Sequence, residues 1–191
     1  GDLIVHTDEI NRLNVFPVAD ADTGTTMLFT MRSAVARIDS LDESASLREV
    51  AAALATGALY GARGNSGVIL SQILRAMAEG IGDGTEITAA QFAEGLRMAV
   101  GLVVEAMGGE TVEGTIVSVL QAASAAAENA AATGDCAVAS SAAADAAAAA
   151  KGGVRRRRAA GGGAGLGQPG AARPRLRHPV ALRAADGRLA A

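Results

Sequence analysis

A chain of 191 residues is long enough for one domain and marginal for two, and half of it is hydrophobic, enough to fill a core. Ala, Leu and Val dominate that half, aromatics make up 2% and Trp is absent, which favours packed helices over sheets. The net charge of −3 hides a split: residues 1–150 carry seven Arg and no Lys against 19 acids, whereas 151–191 carry ten basic residues against Asp186 alone.

The single Cys136 excludes an internal disulfide and a cysteine metal cluster. No window offers the roughly 18 apolar residues of a membrane span; Met98 to Met107 comes closest, and Glu105 interrupts it. The start, G-D-L-I-V-H-T-D, has neither a basic segment nor a long apolar run, so no secretory signal is read, and it lacks Met. The expectation is a cytoplasmic chain that begins inside a longer protein or after processing.

Residues 2–12 read as the end of a helix that packs Leu3, Ile10 and Leu13. Pro17 stops any helix through the loop 13–23. A helix is predicted from about Gly24 to Ile38, with Met27, Met31, Val35 and Ile38 on one face at the helical period. Ser46-Leu47-Arg48-Glu49 is a capping box, and the helix it opens carries Leu47, Val50, Leu54 and Ala58. A small polar turn, Gly64-Asn65-Ser66-Gly67, precedes a helix striped with Leu70, Leu74, Met77 and Ile81. Thr88-Ala89-Ala90-Gln91 is a second capping box, opening a helix with Phe92, Leu96, Val100, Val103 and Met107. Glu113-Gly114-Thr115 marks the next helix start, and that helix runs to about Ala132. Residues 135–150 are Ala-rich and helix-competent. From 152 the sequence turns to Arg, Gly and Pro without a periodic apolar face. The expected fold is all-α, six or seven mostly antiparallel helices in a closed bundle or barrel over residues 1–151, with 152–191 a disordered or frameshifted tail.

Asp20 and Asp22 stand one residue apart, directly before the turn Thr23-Gly24-Thr25-Thr26. Loop carboxylates suit a Mg²⁺ ion that shares phosphate ligands. A helix start behind them offers backbone N–H groups to those phosphates. The starts at Asp22–Thr26, Gly64–Gly67 and Glu113–Thr115 share this design, and helices of alternating direction bring every second start to one end. Each turn alone is also what ordinary N-capping requires. His6 and His178 lack a partner at ligand spacing, Glu110 and Glu113 read as solvated or capping, and the methionines read as core.

The stretch L-N-V-F-P-V-A-D-A-D-T-G-T-T-M (Leu13–Met27) closely resembles LNVFPVPDGDTGTNM of the bacterial fatty acid kinase ATP-binding subunit, whose N-terminal domain is similar to the L subunit of dihydroxyacetone kinase. G-A-L-Y-G-A-R-G-N-S-G-V-I-L-S-Q-I-L-R and V-E-G-T-I-V-S-V-L resemble the family's second and third motifs, so the resemblance covers about residues 9–130. It implies a barrel of mostly antiparallel helices with ATP and paired Mg²⁺ at one end. Asp20 and Asp22 would be the catalytic and metal-binding carboxylates, and Asn14 stands where dihydroxyacetone kinase relatives have a third metal-binding acid. Thr23, Gly24, Thr25, Thr26, Asn65 and Ser66 would contact phosphates, and Gly114, Thr115 and Ile116 would border the nucleotide.

The resemblance also implies direct transfer from ATP to a fatty acid carboxylate presented by a separate binding protein, together with middle and C-terminal domains this chain lacks. A homodimer is compatible with this reading. The chain departs from the motif at Ala19, Ala21 and Thr26, where Pro, Gly and Asn are usual, and it lacks the family's V-D-A-G-G-type closing segment. Two other readings remain at this point: a nucleotide-binding adaptor without turnover, or a dihydroxyacetone-type kinase subunit. Nucleic-acid binding through Arg155–Arg158 ranks below these, since the core is acidic and the tail has no aromatics for stacking.

Overall fold

Every regular element among the described residues is a helix. The computed structural model describes residues 2–13, 21–109 and 115–161. Two short helices, α1 (Asp2–Val5) and α2 (Thr7–Leu13), precede six longer ones: α3 (Thr23–Ile38), α4 (Leu47–Gly61), α5 (Gly64–Glu79), α6 (Ala89–Ala106), α7 (Ile116–Ala131) and α8 (Cys136–Gly161). The first predicted helix is thus broken at His6, and Leu13 is exposed rather than packed. Helix α8 continues past Lys151 through the four-arginine run to Gly161.

Both predicted capping boxes are present. Ser46 and Glu49 satisfy each other's backbone groups at the start of α4, as Thr88 and Gln91 do at the start of α6. The Ser46 backbone N–H and hydroxyl both donate to the Glu49 carboxylate, which holds its pKa below the ordinary glutamate value.

Successive helices pack on one another, and α4 runs antiparallel to α3 as α6 does to α5. The main core lies between α5, α6, α7 and α8, where Ile69, Leu96, Val103, Val117 and Leu120 meet a lining of buried alanines. Val103 is fully buried. Leu96 and Val103 on α6 match the predicted face, and Phe92, Val100 and Met107 pack against its rim.

Helices α3 and α4 join this core by a different rule. A Cβ on Gly57 would lie 2.6 Å from the Ser33 carbonyl oxygen, so α4 approaches α3 at backbone distance. A Cβ on Gly67 would lie 2.6 Å from the Thr30 hydroxyl, so α5 does the same. The buried residues of α3 are therefore Gly24, Thr26, Thr30 and Ala34. The predicted face of Met27, Met31, Val35 and Ile38 is not the buried one: Val35 is exposed and the other three are half-buried. Side chains of that size do not fit between helices this close, so they flank the contact. Of the predicted stripe Leu70, Leu74, Met77 and Ile81, Ile81 is buried and Met77 packs against the core, while the buried residues of α5 itself are Gly67, Ile69, Ser71, Gln72 and Ala76.

Helix α8 packs on α6 and α7, whereas α3 packs on α2, α4 and α5. Among the described residues no contact joins α8 to α3.

Candidate functional site

Helices α3 and α5 lie side by side and point the same way. Their pairing in register shows this: Gly64 faces Thr26, and Gly67 faces Thr30. Both first turns therefore open at one end of the molecule. There the Ser66 hydroxyl donates to the Thr23 hydroxyl oxygen at 3.4 Å, joining two of the predicted segments that are 43 residues apart in sequence. Gly64 is required twice over in this contact. Its φ of +58° lies in the left-handed region, and a Cβ there would sit 3.3 Å from the Thr26 methyl.

The two helix starts differ in how their backbone donors are used. On α5 the N-cap position is Arg63, which makes no side-chain cap bond, and its guanidinium donates to the Ala62 carbonyl oxygen instead. On α3 the N-cap position is Asp22, whose side chain also makes no cap bond. A residue from another helix does the capping. Asn11 Oδ1 on α2 accepts from the backbone N–H of Gly24 at 2.7 Å and of Thr25 at 3.2 Å. Asn11 Nδ2 donates to the Thr25 hydroxyl at 2.9 Å. Thr26 turns inward, its N–H to the Asp22 carbonyl oxygen and its hydroxyl to that of Thr23.

Of the residues singled out from sequence, Asp22, Thr23, Gly24, Thr25, Thr26, Asn65 and Ser66 are gathered at this end. Asp22 and Asn65 are exposed, and Thr23 and Ser66 are half-buried. Asn14, Asp20 and Gly114 lie outside the described residues, as do Glu110 and Glu113. Thr115 caps α7 through its hydroxyl, which accepts from the Val117 N–H at 3.3 Å, and Ile116 is exposed beside it. Of the third predicted start only Thr115 is described, so its placement against the other two starts lies outside the described residues. Asn11 was missed by sequence reasoning. Its partners lie 13 and 14 residues on, far outside the span over which an N-cap signal is read.

Among the described residues no group of three or more His, Cys, Asp or Glu is placed to hold a metal. This end nonetheless fits a cation that takes most of its ligands from phosphate and water. It offers an exposed carboxylate at Asp22, hydroxyls at Thr23 and Ser66, and a helix start on α5 without a side-chain cap. A groove of about 590 Å³ lies at the other end, between the starts of α6 and α8, with Glu86, Asp135 and the half-buried thiol of Cys136 on its walls. No described helix is long and apolar enough to cross a membrane.

Protein YloV of Bacillus subtilis is 43% identical over 115 residues, covering 60% of this chain and 20% of that protein. An uncharacterized protein of Staphylococcus saprophyticus is 42% identical over 119 residues, covering 62% of this chain and 21% of its own length. An uncharacterized Staphylococcus aureus protein is 41% identical over the same span. The chain thus spans about a fifth of the length of these relatives. Residues 17–171 match the DAK2 domain, a type associated with kinase subunits and with nucleotide and Mg²⁺ binding. The chain, on that match, belongs to the DAK2 domain family.

Proposed function

We propose that the chain is the nucleotide-binding domain of an ATP- and Mg²⁺-dependent phosphotransferase whose acceptor is a fatty acid carboxylate carried by a separate protein. The observation that carries this reading is the parallel pairing of α3 and α5, which sets Thr23 against Ser66 directly behind Asp22. Asp20 and Asp22, with Asn14, would hold the metal. Thr23, Asn65 and Ser66 would hold phosphate oxygens, and Gly114, Thr115 and Ile116 would border the nucleotide. The N–H groups of Gly24 and Thr25 enter only if Asn11 gives them up. Bound Mg²⁺ would supply charge neutralisation across the phosphate oxygens. The protein's own part is orientation, through donors fixed on two rigid helices, with no protein nucleophile. The acyl-carrying partner and the further domains follow from the family resemblance and from the greater length of the relatives.

The test is a thermal shift. At a hundredfold excess over Kd, Mg·ATP should stabilise the chain by about 2.7 kcal/mol, which is about 5–10 °C for a domain of this size. Replacing both Asp20 and Asp22 by Asn should abolish that shift. A parent chain that melts at the same temperature with and without Mg·ATP sinks the proposal. A second reading, nucleotide binding without turnover, draws on the V-D-A-G-G-type closing segment that is not found in this sequence. Nucleotide binding with no ATP consumed in the presence of an acyl-loaded partner would favour it.

A further inference from the structure

A glycine inside a helix lowers stability, because it loses more chain freedom on folding than other residues and packs no side chain. Elsewhere in this molecule such glycines sit at close helix contacts. A Cβ on Gly57 would meet the Ser33 carbonyl oxygen, one on Gly67 the Thr30 hydroxyl, and one on Gly95 of α6 the Met77 sulfur at 2.8 Å. Gly101 lies further along α6, well inside the helix, and a Cβ there would meet nothing within 4 Å. It is exposed, and no contact among the described residues accounts for it.

The residues around it do. Glu94, Arg97, Gly101 and Glu105 are exposed and recur at the helical period, so they form one stripe along the outside of α6. Arg97 and Glu105 stand one helical turn to either side of Gly101. A second α6 laid antiparallel on this stripe, with the two glycines at a two-fold axis, brings each Arg97 level with Glu105 of the other copy. Met98 and Val104, half-buried on the flanks, are spaced evenly about Gly101 and come level in the same way. The stripe is therefore complementary to itself in charge and in apolarity, as an isologous contact requires. A parallel pairing would instead set like charge on like charge. Within the chain Arg97 Nε donates to Glu94 at 2.7 Å, while none of the ion pairs among the described residues includes Glu105.

We propose that α6 is a self-association surface: two copies of this chain pair antiparallel through α6, with Gly101 at the two-fold axis and Arg97 of each copy bridged to Glu105 of the other. The glycine lets the two backbones approach as α3 and α4 do within one copy. The inference stands on α6 and is independent of the nucleotide reading. Sedimentation velocity on the full chain across the micromolar range tests it. The parent should pass from monomer to dimer as concentration rises, and less readily in high salt. Gly101→Leu adds a side chain where one copy has room for it, so the monomer's melting temperature should hold or rise while the dimer weakens by roughly a hundredfold. Arg97→Glu and Glu105→Arg should each weaken self-association by roughly tenfold, and an equal mixture of the two variants should dimerise as the parent does, since each then meets its opposite charge. A parent that stays monomeric at every concentration overturns the proposal. So does a dimer that Gly101→Leu leaves unchanged, or a mixture of the two charge variants that associates no better than either alone.

Discussion

Ala21 sits at φ +52°, the left-handed region that a residue with a Cβ enters at a cost of roughly 1–2 kcal/mol. It stands where the resembling motif has glycine, directly between the two carboxylates of the loop. Ala21→Gly should therefore raise the melting temperature by a few degrees, about 2–4 °C, even though glycine loosens the unfolded chain. Thermal denaturation of the two proteins side by side checks this, and a lower value for the glycine variant would show that the strain is not relieved there. At Gly64 the argument runs the other way. Gly64→Ala should destabilise the chain and separate α5 from α3, seen as loss of both stability and Mg·ATP affinity. At this scale the hydroxyl-rich turn of the candidate site was legible, because a helix start is local chemistry, while Asp20 of the D-x-D lies outside the described residues. Asn11 was not legible, because its role exists only once α2 is laid across the first turn of α3.

Helix starts were read well from sequence and helix faces poorly. Capping boxes are complete within four residues, so Ser46–Glu49 and Thr88–Gln91 needed no tertiary information. Burial on α3 is decided by how closely its neighbours come. Glycines on α4 and α5 set that distance, so Thr30 and Ala34 are buried while Val35 faces out. Periodicity ranks residues by apolarity and so selected the flank. The α4 box also carries a pH dependence. Glu49 titrates below its ordinary value in the folded chain, so its contribution is full above the ordinary carboxylate range and is lost as the pH falls through the lowered titration. Denaturant midpoints at about pH 7 and about pH 3 should differ less in Glu49→Gln than in the parent. An equal difference would assign the acid loss to other carboxylates.

Over the whole molecule, cohesion is unevenly distributed. Among the described residues the buried apolar cluster lies among α5, α6, α7 and α8, while α3 and α4 meet through close Gly, Ala and Ser contacts. Val103→Ala, at the centre of the former, should cost about 2–3 kcal/mol in urea denaturation. Native-state amide exchange should find α6 and α7 most protected and α2 with the first turn of α3 least. Uniform protection would contradict that gradient. The helical class and its element order were legible in composition and periodicity. The close approach of α3, α4 and α5 was not, because it rests on contacts between residues far apart in sequence.

Because nearly every helix packs against its neighbour in sequence, the native contacts close short loops rather than long ones. Chains of that kind reach their fold quickly, on roughly the microsecond-to-millisecond scale. This array can assemble pair by pair as it is synthesised, with α5 and α6 able to dock before α7 and α8 exist.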